Sequence, residues 1–83
     1  MAAPAQLTIG RIHTLAEDGD GRLWLGGEHG VQIIEAGTIR ALSNGGQPWQ
    51  VATQYLGRQR DGSILVGSEL GPHLLLDGRL VAI

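Results

Sequence analysis

A chain of 83 residues with six arginines, no lysine, eight acidic residues and a net charge of -2 has room for one small domain and no basic face for a nucleic acid. Its 42% apolar and 17% charged composition is that of an ordered globular chain, and the lack of cysteine excludes a disulfide framework and any thiolate metal site. No apolar run approaches the roughly 20 residues needed to span a bilayer, so neither membrane insertion nor nucleic-acid binding is expected.

The first ten residues form an N-terminal segment without the basic and apolar regions of a signal peptide. Its Ala2-Ala3-Pro4-Ala5-Gln6 has the small-residue composition found around cleavage sites, so a processed stub preceded by an added Met1 is one reading. From there on, the 14 glycines set the pattern. The longest interior stretch without one, Gln47 to Leu56, contains Pro48 and is too short for an ordinary helix. Short apolar runs lie between the glycines: Leu23-Trp24-Leu25, Val31-Gln32-Ile33-Ile34, Ile64-Leu65-Val66, Leu74-Leu75-Leu76 and Leu80-Val81-Ala82-Ile83. Their length and chemistry predict strands, and their continuous apolar character predicts sheets covered on both faces. Asp20-Gly21, Ala36-Gly37, Asp61-Gly62 and Asp77-Gly78 supply the turns between them.

Sliding the chain along itself by 41 residues superposes Leu15 on Leu56, Asp20 on Asp61, Gly21 on Gly62, Gly26 on Gly67, Glu28 on Glu69, Gly30 on Gly71, Gly37 on Gly78 and Ala41 on Ala82. Most other pairs are apolar on apolar, and the matched glycines sit at turns, so the repeat is a structural unit. Each unit holds four strands: roughly 11–16, 22–26, 31–35 and 38–42 in the first, and roughly 51–57, 63–67, 73–76 and 79–83 in the second. A four-stranded antiparallel meander repeated about every 40 residues is the signature of a β-propeller blade. The expected fold is therefore all-β, with blade 1 at 11–42, an inter-blade linker at 43–50 and blade 2 at 51–83.

The stretch Glu17-Asp18-Gly19-Asp20-Gly21-Arg22-Leu23-Trp24-Leu25-Gly26-Gly27-Glu28-His29-Gly30-Val31 resembles the two-component regulator propeller repeat, and the resemblance covers residues 12–42. The second copy, Asp61-Gly62-Ser63-Ile64-Leu65-Val66-Gly67-Ser68-Glu69-Leu70-Gly71-Pro72, departs from that pattern, with Leu65 in the tryptophan position and Gln59 in that of the first Asp; the usual Thr is replaced in both copies, by Gly27 in the first and Ser68 in the second. The resemblance implies a ligand-sensing propeller of a bacterial signalling receptor, outside the cytoplasm.

Two blades leave two apolar faces in water, whereas closed propellers need about four to eight blades. Taken as a whole chain, the sequence is expected to complete a ring with two or three further copies of itself; a fragment of a longer propeller, or a compact two-sheet sandwich of the same strands, alone or as a dimer, are the alternatives. The turns sort by end. Asp18, Asp20, Asp61 and Asp77 fall at one end as turn residues, and Asp18-Gly19-Asp20-Gly21 lacks the later ligands of a calcium loop, so no metal or other cofactor is expected. Glu28, His29, Asn44, Gln47, Trp49, Glu69 and His73 fall at the other end, a mixture suited to a small polar ligand such as a carbohydrate, with Trp49 either a stacking platform or a cap on the inter-blade seam. His13, on the first strand, is expected to line a central channel, where a ring of its copies could hold a metal or anion or the imidazole could simply be hydrogen-bonded. With no nucleophile motif beside these histidines, the reading is a non-enzymatic binding, sensing or assembly module. The alternatives are a lyase-like propeller using His and Glu at one face, and a scaffold or excised blade pair without a ligand.

Overall fold

The computed structural model describes residues 7–76 and 79–83. Strands β1 (Ile12–Glu17), β2 (Leu23–Gly27), β3 (Gly30–Glu35) and β4 (Thr38–Ala41) form an antiparallel meander in that spatial order. A short hairpin of β5 (Ser43–Asn44) and β6 (Gln47–Pro48) follows. A second meander then comprises β7 (Thr53–Arg58), β8 (Ile64–Ser68), β9 (Gly71–Leu76) and β10 (Arg79–Ala82). The chain is thus all-β, with four-stranded antiparallel sheets at both places where the repeat puts them.

Chemistry at the turns explains where each strand stops. Between β3 and β4, Ala36 and Gly37 have φ of 50° and 80°, the paired positive values of a type I′ hairpin turn. The matching pair Asp77-Gly78 lies outside the described residues. Between β1 and β2, only Gly21 of the Asp20-Gly21 pair has positive φ, at 82°. There the Gly21 N–H bonds the Asp18 carbonyl at 3.2 Å and the Asp18 N–H bonds that of Arg22 at 2.9 Å, a longer loop closed by a left-handed glycine. The loop of the second blade repeats this, with Gly62 N–H to Gln59 O at 3.0 Å and Gln59 N–H to Ser63 O at 2.8 Å. Each first strand also has an irregularity at the same repeat position, so His13 and its counterpart Gln54 fall between paired residues.

Strand register assigns the side chains to faces. Thr14, Ala16, Trp24, Gly26, Val31 and Ile33 share one face of blade 1; Leu15, Leu23, Leu25, Gln32, Ile34 and Ile39 share the other. In blade 2, Leu56, Ile64, Val66, His73, Leu75 and Leu80 share one face, and Tyr55, Leu65, Gly67, Pro72, Leu74 and Val81 the other. The blades stack through the Trp24 face of the first and the Leu56 face of the second. Trp24, Val31, Ile33, Leu42, Trp49, Leu56, Ile64, Val66 and Leu80 form one buried core between them. Gly26 makes that contact close: a Cβ there would sit 3.1 Å from Thr53 Cγ2 and 3.3 Å from Leu56 Cδ1. Polar bonds cross the seam too, from the Leu56 N–H to Thr14 Oγ1 at 3.2 Å and from the Gly19 N–H to the Gly62 carbonyl at 2.9 Å.

The linker is more structured than its composition suggests. Gly45 and Gly46, at φ 61° and 90°, fold it into the β5–β6 hairpin. Asn44 Oδ1 accepts the Leu80 N–H of β10 at 2.9 Å, so the hairpin bridges from the outer edge of blade 1 to the outer strand of blade 2.

Candidate functional site

Antiparallel order brings the entry to β1, the β2–β3 and β8–β9 turns, and the linker to one end of the blades, as the sorting of turns requires. The chain before β1 is pinned there by backbone bonds, Glu28 N–H to Arg11 O at 3.1 Å and His29 N–H to Ile9 O at 2.9 Å. The segment before β7 repeats the first of these at 3.4 Å, with the Glu69 N–H donating to Ala52 O. A cleft of about 470 Å³ opens at this end, lined chiefly by Thr8, His29, Gln32, Pro48, Trp49 and Gln50.

Of the residues singled out in the sequence, His29 and Trp49 line this cleft, and Glu28 stands beside it. The Glu28 carboxylate lies 3.9 Å from His29 Nε2 and 3.9 Å from Arg11 Nε, an exposed arrangement held only by long-range attraction. Trp49 is 6% exposed. Its indole N–H donates to Thr53 Oγ1 at 3.1 Å, its ring meets His73 edge-on with centroids 5.5 Å apart, and its carbonyl rests against the Cα of Gly30. Trp49 therefore caps the seam, and its ring offers no open face for stacking a ligand. His73 lies behind it, with Nδ1 3.1 Å from the Gly71 carbonyl, which requires the proton on Nδ1. Asn44 is engaged with β10, Gln47 is exposed on the hairpin, and Glu69 lies on the β8–β9 turn; none of the three lines the cleft. His13 is exposed on β1, a strand that packs directly against β7.

Thr8, Gln32 and Gln50 complete the cleft and were not picked out by sequence reasoning. Gln32 had a legible signal, a lone amide inside the apolar run Val31 to Ile34; it is buried, and its Oε1 accepts the Thr8 N–H at 2.8 Å. This pairing is the repeat counterpart of Trp49 on His73, so the same two positions clamp the segment that leads into the first strand of each blade.

Thr53 is the polar key to the seam. It is fully buried, accepts from Trp49 and donates to the Val51 carbonyl at 2.9 Å. Thr53→Val keeps the shape but strands the indole N–H and the carbonyl, so a loss of about 1–3 kcal/mol is expected in chemical denaturation.

At the other end the strongest feature is Asp18, buried below the blade edge. Its Oδ2 accepts Trp24 Nε1–H at 2.9 Å and Arg22 Nε–H at 2.8 Å, and its Oδ1 accepts the backbone N–H groups of Asp20 at 2.9 Å and Arg22 at 3.0 Å. Burial opposes ionisation of this carboxyl, but the Trp24, Arg22 and backbone hydrogen bonds together outweigh it and hold the pKa at about 2. Asp61 is held below the usual carboxylate range by the Ser63 hydroxyl, 2.6 Å away, and the Ser63 N–H. Asp18 and Asp61 border a second cavity of about 300 Å³ between the two loops, with Trp24 and Ile64 as its floor. Their carboxylates are already committed to their own turns.

Residues 6–29 match the family model described as Two component regulator propeller. No curated protein and no solved structure matches the chain. The matched segment spans β1, the Asp18 loop and β2, the part of the chain where the acidic turn and the Leu23-Trp24-Leu25 strand lie. The match is consistent with the resemblance carried by those residues, and the blade that bears it stacks on a second meander that departs from the same pattern.

Proposed function

We propose that this chain is a non-enzymatic propeller-repeat module that contributes two blades to a larger propeller and presents a polar cleft at the β2–β3 end for a small hydrophilic ligand. The carrying observation is that each blade buries one face against the other and leaves an apolar face open, so the unit is built to be continued by further blades. Exposed Leu15, Tyr55, Leu76 and Val81 are the visible part of that unfinished packing. Homo-oligomeric closure by three or four copies supplies the missing blades most simply. The cleft supports a binding role through its exposed imidazole and amide groups, His29 and Gln50. Sensing, as in the receptors whose repeat blade 1 resembles, follows if ligand occupancy changes how the blades at this end pack.

Solution mass tests the reading first. Light scattering or native mass spectrometry is expected to give about 26 or about 35 kDa, three or four copies of the 8.8 kDa chain. A folded particle at the mass of one chain would sink it.

A further inference from the structure

We propose that the chain binds a second copy of itself head to tail, the open face of blade 2 in one copy receiving the open face of blade 1 in the next. This rests on the reading of the chain as a propeller module that needs further blades, and adds which faces meet and in what order.

The support comes from comparing residues 41 apart. Leu42 is 1% exposed in the seam, but its counterpart Ile83 is 72% exposed. Leu56 is 5% exposed on the face that blade 2 turns to blade 1, but its counterpart Leu15 is 62% exposed. The same inversion holds at four further pairs, although Leu25 on the open face of blade 1 is buried like its counterpart Val66. Trp24 and Ile33 are buried, whereas Leu65 and Leu74 are half-buried; Ile64 and Leu80 are buried, whereas Leu23 and Ile39 are half-buried. Each open face is thus the repeat counterpart of a face already buried inside the chain. Together they are the two halves of one interface whose packing the structure displays.

Shape follows the same logic. Inside the chain, Leu56 is the knob that enters the space left by Gly26. Gly67 holds the Gly26 position on the open face of blade 2, with Tyr55 against it where Thr14 stands beside Gly26, and Leu15 holds the Leu56 position on the open face of blade 1. Knob and gap lie on different faces, so a face does not complement itself and the contact is heterologous. Such a contact presents a fresh pair of open faces after every addition and ends only when a ring closes. Ile9 already covers part of blade 1 beside Gly27, as the linker covers blade 2.

Two variants at exposed positions separate the faces. Leu15→Glu blocks the blade 1 face and Ile83→Glu the blade 2 face, with Tyr55→Glu as a second variant for blade 2 and circular dichroism to confirm folding. Each variant alone is expected to run at the single-chain mass, because each keeps one half of the interface. Mixed in equal amounts, Leu15→Glu and Ile83→Glu are expected to form a one-to-one pair at twice that mass through their intact faces. A variant that stays assembled alone, or a mixture that stays monomeric while the unaltered chain assembles, overturns the head-to-tail interface and leaves the propeller reading standing. An unaltered chain that is itself monomeric overturns both.

Discussion

Gly30→Ala is expected to cost more than about 3 kcal/mol, a large share of the stability of a small domain, while the same change at the repeat-equivalent Gly71 costs about 1 kcal/mol. Both glycines open the third strand of their blade with positive φ, 130° and 92°. A Cβ on Gly71 meets nothing within 4 Å, so alanine there adds only backbone strain. A Cβ on Gly30 would instead fall on the Trp49 carbonyl oxygen. That oxygen belongs to the backbone of a buried residue anchored through Thr53, so it has no rotamer by which to move away. Urea denaturation of the two variants compares a position with the contact to one without it, both at positive φ. Equal losses would mean that the linker does not press on Gly30 in solution.

Asp18→Asn is expected to destabilise the protein by about 2–3 kcal/mol, because the amide keeps the size but loses the charge that satisfies Trp24 and Arg22 together. Acid provides an independent check on the same group. The folded carboxyl titrates at about 2, below its ordinary 3.8, so it stabilises the fold above pH 4 and that contribution disappears as pH falls from about 4 to 2. Its size is on the order of 1–2 kcal/mol after allowance for solvent screening. Denaturation midpoints measured at several pH values should show this slope in the unaltered chain and a flatter one in Asp18→Asn. An unchanged slope would assign the acid sensitivity to other carboxylates.

The second blade explains why Asp18 is more than a turn former. Where the repeat substitutes Leu65 for Trp24, it also substitutes Gln59 for Asp18. Without an indole N–H to receive, a buried carboxylate would carry its desolvation cost with one fewer donor, so the two residues leave together. This coupling was present in the sequence as two separate departures from the pattern, and only the 2.9 Å hydrogen bond makes them one.

Local chemistry and the 41-residue repeat were enough to read the strands, the turns and the sorting of chain segments between two ends, because glycine turns and short apolar runs act over a few residues. That Trp24 belongs to the core was legible for the same reason, in an apolar run two residues past a turn. The candidate site was legible only in outline. His29 and Trp49 do come to one cleft, but Asn44 went to the edge of β10 and His73 went behind an indole, since these positions depend on how a second sheet is placed. The β5–β6 hairpin is likewise held by Leu80, 36 residues away from Asn44. The two apolar faces of each blade can be read from its residues, but which of the two is buried follows from the stacking of one sheet on the other. Successive side chains point to opposite faces, so a continuous apolar run makes both faces apolar, and only stacking selects the partner of each.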